Sequence, residues 1–228
     1  MPERPILIAI DGPAGAGKSA TAREVAVRLG LPYLDTGAMY RAVALLACRE
    51  GLGPELDERG RAAVVEIASR IAVCFSGDQR AQRVTVRSTD VTDALRSPEV
   101  SQMASVVSAI PEVRHEMVRR QREIAARTGG VVEGRDIGTV VFPDAALKVF
   151  LTAEPEVRAR RRFDELTRRG VKVRWEDVLA EQGERDRRDS SRSASPLRPA
   201  EGAVIVDNSR LSLAEVVDVV VSLLRRTP

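Results

Sequence analysis

At 228 residues the chain has room for one α/β core, or one core with a small insert, and its 43% hydrophobic and 30% charged residues give the balance of a folded globular protein. Two cysteines without a CxxC pair, and a single histidine, His115, argue against a disulfide scaffold, a structural zinc site and a Ser/His/Asp hydrolase. The net charge of +3 sets 36 basic against 33 acidic side chains, interleaved in stretches such as RRQRE and GERDRRD, the pattern of ion-paired helix faces and not of a nucleic-acid tract.

The first apolar run, ILIAI at residues 6–10, is shorter than a signal-peptide core and far shorter than a membrane span, so it predicts a buried strand in a cytoplasmic protein. DGPAGAGKS follows at once and matches GxxxxGK[ST], with Gly12, Gly17, Lys18 and Ser19 at the fixed positions. Small residues from Gly12 through Pro13, Ala14, Gly15 and Ala16 to Gly17 let successive backbone N–H groups turn inward around an anion. A helix predicted from Ser19 and Ala20 to Gly30 adds its positive end to the same point. Lys18 then reaches the β/γ-phosphates of a nucleotide, and the Ser19 hydroxyl a magnesium ion. Lysine stands only at positions 18, 148 and 172 against a background of arginine, so its retention beside the loop points to a need for a compact ammonium.

PYLDTGAMYRAVALLACREG predicts a short strand ending at Asp35 and a helix capped by Thr36 that closes near Gly51. Arg41 lies just over one turn in, able to aim a bidentate guanidinium at an acceptor phosphate. RIAVCFSGD and RVTVRSTDV alternate apolar and polar residues about a glycine turn, which predicts a β-hairpin. Helical periodicity then resumes with a break at Pro111, flanked by Ser105 and Arg114. VVEGRDIG places Arg135 and Asp136 at the C-terminal end of a strand, where open α/β sheets bind ligands. A charged helical hairpin broken near Gly170 follows, with Arg158, Arg161 and Arg162 on one helix face and Arg185, Asp189 and Arg192 at i, i+4, i+7 spacing. AVIVDNSRLSLAEVVDVVVSLL closes the chain as a buried strand, a turn and an amphipathic helix.

A phosphate loop does not choose a reaction. No lysine follows an asparagine, so the base-reading NKxD of a GTPase is missing. The strand LKVFLTA ends without a magnesium-binding acid, which weakens a motor or transport ATPase without excluding it. A small kinase with arginines converging on phosphoryl oxygens fits best.

In the stretches IDGPAGAGKS, YLDTGAMYRA, VRHEMVRRQR, VVEGRDIGTVVFPDA, ERDRRDSSRSASPL and DNSRLSLAEV, taken in order, the chain resembles the bacterial-type cytidylate kinases over essentially its whole length. The resemblance implies a three-layer α/β P-loop kinase with a mostly parallel five-stranded sheet. Its core would be residues 1–59, 106–153 and 193–228, with a monophosphate-side insert at about 60–105 and a helical lid at about 154–192. It implies transfer of the γ-phosphoryl of ATP to CMP or dCMP, with Mg²⁺ held in part by Ser19 and with Asp35 a candidate for its water shell. Lys18, Arg41, Arg135, Arg158, Arg161 and Arg192 are then the catalytic candidates. Thr36, Arg41, Ser105, Arg114, Arg135, Asp136, Arg185, Asp189 and Arg192 would bind the acceptor, with Ser105, Arg114 and Asp136 reading cytosine. DNSRL would lie near the adenine of ATP, a contact made through its backbone. The implied partners are nucleotides, with no nucleic acid or membrane, and the implied state is a monomer. Another small P-loop kinase, of uridylate, shikimate or dephospho-coenzyme A type, stays open as the runner-up, and a non-catalytic nucleotide-gated RNA binder as the alternative class.

Overall fold

The computed structural model describes residues 5–192 and 194–226. The chain divides into two compact units, one of the residues up to Tyr33 together with those from Gly129 onward, the other of Leu34–Thr128. The expected insert, 60–105, falls inside the second unit, which also takes in the helix before it and the two helices after it.

The chain opens with β1 (Leu7–Asp11), whose burial is nearly complete from Ile8 onward, as an apolar run inside a parallel sheet requires. The phosphate loop leads into α1 (Lys18–Leu29), which stops where Gly30 adopts the left-handed conformation. A short β2 (Tyr33–Asp35) carries the chain into the second unit.

There α2 (Thr36–Arg49) begins, and its cap is Asp35, not Thr36. Asp35 keeps the extended backbone that a cap requires and accepts the Ala38 N–H at 3.0 Å, while Thr36 is already helical. A carboxylate at the positive end of the helix is favoured over a hydroxyl by the macrodipole. After α3 (Glu58–Arg70) come β3 (Val73–Ser76) and β4 (Arg83–Val86), the predicted antiparallel hairpin, with Val73 facing Val86 and Ser76 facing Arg83. A third strand, β5 (Thr89–Asp90), is added through a two-residue turn at Arg87 and Ser88, both at positive φ, the primed geometry that suits strand twist. Helices α4 (Pro98–Val107) and α5 (Pro111–Thr128) each begin on a proline, where a missing N–H costs nothing. Met39, Val43, Val64, Met103, Val113 and Met117 anchor the core of this unit.

Back in the first unit, β6 (Gly130–Glu133) ends at a short π-helical turn, Ile137–Val141. β7 (Leu147–Thr152), α6 (Pro155–Arg168), α7 (Trp175–Ser191), β8 (Val204–Asp207) and α8 (Leu213–Arg226) complete it. The sheet runs β2-β6-β1-β7-β8, and β1 with β6, β1 with β7 and β7 with β8 pair in parallel. Ile8, Ile10, Val149 and Leu151 of its inner strands pack with Val25 of α1 and Val217 of α8. β8 forms the far edge, and its Ile205 is 60% exposed.

Leu151, with none of its surface open to water, and Ile205 therefore differ in what truncation costs. Leu151→Ala is expected to lower the unfolding free energy by about 2 to 5 kcal/mol, and Ile205→Ala by less than about 1 kcal/mol. Urea melts of the two variants beside the parent check this, and equal losses would contradict the burial pattern.

Candidate active site

The loop between β1 and α1 is pressed onto β7. A Cβ at Gly12, where φ is +148°, would stand 1.9 Å from the Leu151 carbonyl oxygen, so only glycine leaves the strand at this angle. Gly15 has the same constraint from another direction, since a Cβ there would meet the Arg158 carbonyl at 2.8 Å and the Gln182 amide at 2.9 Å. Pro13, Ala14 and Ala16 are buried, Ser19 is half-buried in the first turn of α1, and Ala20 is exposed. Lys18 is 6% exposed and donates from Nζ to the Pro13 carbonyl at 2.6 Å. Burial first, then the Arg135 and Arg185 guanidiniums, push its ammonium well below the ordinary lysine range, against the pull of Glu133 and Asp11.

The three helix arginines of α6 go separate ways. Arg158 is buried and donates to the Ala153 carbonyl at 2.9 Å, to the Ala14 carbonyl of the loop at 3.1 Å and to Asp186 of α7 at 2.6 Å. Arg161 donates to the Asn208 side-chain oxygen and to its carbonyl, each at 2.9 Å, and the Asn208 amide donates in turn to Ala16 at 2.8 Å. Arg162 pairs along its own helix, with Glu165. The shared face expected from i, i+3, i+4 spacing is thus spent, at two of its three positions, on carbonyls of the phosphate loop and of the turn after β8. Asn208 uses its side chain here, a role for DNSRL that local sequence did not suggest.

Arg135, Arg185 and Arg192 surround Asp189. Arg135 Nε lies 3.1 Å from one carboxylate oxygen and Arg192 Nη1 3.9 Å from the other. Burial pushes the Asp189 carboxyl up, but the guanidiniums of Arg135, Arg185 and Arg192 outweigh it and hold the acid below its usual range. Arg185, Asp189 and Arg192 are the residues at i, i+4, i+7 spacing, and Arg135 joins them from the end of β6.

Asp136 is buried just beyond β6, where the π-helical turn starts. The first two N–H groups of that turn, from Ile137 and Gly138, are accepted by Asp11 at 2.8 and 2.7 Å. Asp11 is 3% exposed, and burial drives its carboxyl up to about 6, against the pull of those two N–H groups; Asp136 adds to the rise and Lys18 opposes it. Glu133, also buried, accepts the Tyr33 hydroxyl.

In the second unit, Arg41 pairs with Asp35 at 2.7 Å, so both Asp35 oxygens are engaged, one by Arg41 and one by the α2 cap. Thr36 is buried in the first turn of α2. Arg114 donates to the Ser108 carbonyl at 3.0 Å and lies 5.5 Å over the Tyr40 ring, while the Ser108 hydroxyl donates to the Ser105 carbonyl. The Ser105 hydroxyl is buried with no hydrogen-bond partner among the described residues. Asp11, Asn208, Ser108 and Tyr40 are the supporting residues that motif reading passed over. Among the described residues no cluster of three or more His, Cys, Asp or Glu is placed to hold a metal ion.

Residues 8–226 match the family model described as cytidylate kinase. The chain is 48% identical over 221 residues to a cytidylate kinase of Caldanaerobacter subterraneus subsp. tengcongensis, covering 97% of this chain and 95% of that one. It is also 48% identical to a cytidylate kinase of Corynebacterium glutamicum, covering 96% and 94%. A crystal structure of a protein from Eubacterium ventriosum is similar in fold, with a TM-score of 0.50 at 11% identity over 97% of this chain and 99% of that one.

The raised carboxyl of Asp11 makes stability depend on pH. Stability from keeping this acid neutral is complete below about pH 4, the unfolded value, and is lost as pH rises through 6. Asp11→Asn cannot ionise and escapes that loss. Its unfolding free energy relative to the parent is expected to improve by about 2 to 3 kcal/mol between pH 4 and pH 7. A difference that stays constant across urea melts at the two pH values contradicts the assignment.

Proposed function

The chain belongs to the cytidylate kinase family, and from that premise we propose how its residues divide the work of phosphoryl transfer. The reaction moves the γ-phosphoryl group of ATP to CMP, giving CDP and ADP, and we assign dCMP as a second acceptor. The observation that carries the reading is the buried Lys18 ammonium, held against the Pro13 carbonyl within a glycine-bent loop. The loop from Gly12 to Ala20 cradles the donor phosphates through the backbone N–H groups that follow Pro13, and Lys18 neutralises charge that grows during transfer.

Mg²⁺ fits this loop through Ser19, whose hydroxyl sits half-open in the first helical turn. The Ser19 hydroxyl would be the protein's own ligand to the ion, which when bound would supply charge neutralisation at the donor phosphates. The Asp35 carboxylate, with both oxygens engaged, supports the α2 cap and Arg41 better than a metal's water shell.

For the acceptor, Arg41, Arg135, Arg185 and Arg192 are assigned to the phosphate, with Asp189 and Thr36 at the sugar and phosphate. Asp136 accepts the exocyclic amine of cytosine, Arg114 donates to the ring acceptors, and the unsatisfied Ser105 hydroxyl adds a further contact. No general base is needed, because the attacking phosphate oxygen is already ionised. Arg158 and Arg161 reach the transferring group only by giving up Ala14 and Asn208, so their present bonds favour bracing the loop. The enzyme is assigned to the cytoplasm as a monomer acting on free nucleotides. Among the described residues, no helix is long and apolar enough to cross a membrane.

A coupled ADP-release assay with ATP and a panel of monophosphates is expected to give turnover with CMP and dCMP; activity on AMP or GMP alone would overturn the reading. Lys18→Arg should lower kcat by about a hundredfold or more with the fold intact, since a planar fork cannot replace the ammonium inside the loop. Asp136→Asn should reduce the CMP over UMP ratio of kcat/KM about ten- to a hundredfold, because the new amide can donate to the uracil carbonyl. Arg114→Ala should damage both pyrimidines. Equal losses on CMP and UMP in the Asp136 variant would remove it from base reading.

A further inference from the structure

Asp11 belongs to none of the assigned steps, yet few residues of the first unit are better placed. It ends β1, it precedes Gly12 of the phosphate loop, and its two oxygens accept the N–H groups of Ile137 at 2.8 Å and Gly138 at 2.7 Å. Those donors open the π-helical turn, so they have no partner within it, and a buried donor left unmet is costly. The turn's own bonds complete the hold. The Asp136 carbonyl accepts the N–H groups of Val140 at 2.9 Å and Val141 at 3.2 Å. The peptide joining Asp136 to Ile137 thus has its carbonyl fixed by the turn and its N–H fixed by Asp11.

On the other side of Asp136, the Gly134 N–H donates to the Ile10 carbonyl at 3.1 Å, continuing the β6 pairing with β1 beyond the strand itself. Residues 134–138 therefore form an arch fastened to the end of β1 at both feet, through the Ile10 main chain and the Asp11 side chain. Arg135 and Asp136 are the two residues between the feet.

We propose that Asp11 is a positioning residue for nucleobase choice: it sets the backbone of the 134–138 arch so that the Asp136 carboxylate is presented in a fixed direction before substrate arrives. The proposal rests on the base-reading role assigned to Asp136 above. A carboxylate suits the task because two convergent N–H groups each need an acceptor. Asparagine offers one oxygen and turns an NH₂ toward the other donor, and glutamate moves the acceptors outward by one methylene. π-helical geometry is rare and, where it occurs as a single turn, is frequent at functional sites. Because Asp11 adjoins Gly12, the same residue ties the acceptor-side arch to the start of the donor loop.

Steady-state kinetics of Asp11→Asn, Asp136→Asn and the double variant, each with CMP and UMP as acceptors and with ATP varied, test this. The Asp11 variant is expected to raise KM for CMP about tenfold and to lower the CMP over UMP ratio, with KM for ATP changed less than about threefold. The double variant should show the same ratio as Asp136→Asn alone, because the first residue acts through the second. Asp11→Glu should restore less than half of the lost preference. If KM for ATP rises as much as KM for CMP, or if the two ratios multiply in the double variant, Asp11 is a general support of the loop and the proposal fails while base reading by Asp136 stands. If Asp136→Asn leaves the ratio untouched, the base-reading assignment fails and takes this proposal with it. Should the Asp11 variants not fold, amide hydrogen exchange of the parent decides: Ile137 and Gly138 are expected to be protected without nucleotide, and exchange at loop rates until CMP is added overturns the proposal.

Discussion

Lys18 carries an ammonium into a place where almost none of it meets water, and the first unit is organised around the consequences. A buried cation needs compensating charge or dipoles within a few ångströms, and the fold supplies them without neutralising it outright. Pro13 offers a carbonyl, while Glu133 and Asp11 offer negative charge from the ends of adjacent strands. Arg135 and Arg185 push the other way. The cationic surplus is what a triphosphate would satisfy, so part of the cost of assembling this cluster is offset only in the complex.

The parallel sheet makes the cluster possible. Strands running the same way end on the same side, so the last residues of β1 and β6 and the loops after them lie together although they are distant in sequence. Asp11, Glu133, Arg135 and Asp136 all come from such ends. The α6–α7 hairpin then braces the phosphate loop through Arg158, and the turn after β8 does the same through Asn208, so side-chain donors from two elements hold the loop by its own carbonyls at Ala14 and Ala16. Its rigidity is a property of the whole unit, not of the glycines alone.

Much of this was legible in the primary structure wherever the signal is contiguous. The phosphate loop, the strand before it and the helix after it are written in one stretch of residues, the helical hairpin follows from ordinary periodicity, and the parallel sheet follows from the family resemblance. The Asp35 cap was misread as Thr36 because both residues can cap and only the backbone conformation at 35 separates them. β5 was missed because its turn uses Arg87 and Ser88 at positive φ, where local rules look for Asn-Gly. The π-helical turn has five residues and no periodicity to find. The extent of the second unit, reaching back to Leu34 and forward to Thr128, depends on packing among helices that look alike in hydrophobic pattern to those of the core. For the site, spacing groups Arg185, Asp189 and Arg192, and Arg135 follows from its place at a strand end, whereas the bonds of Arg158 to Ala14 and of Arg161 to Asn208 join residues too far apart along the chain for any motif to span.

The bond from the Asn208 amide to the Ala16 carbonyl joins residues 192 positions apart. Such a contact closes late, after the entropy of a very long loop has been met, and during vectorial synthesis it cannot exist until residue 208 has left the ribosome. Among the described residues β8, the strand that delivers Asn208, pairs with β7 alone and sits at the sheet's edge. A nascent chain halted before that strand holds every residue of the glycine-rich loop and lacks the Asn208 bond that fastens it.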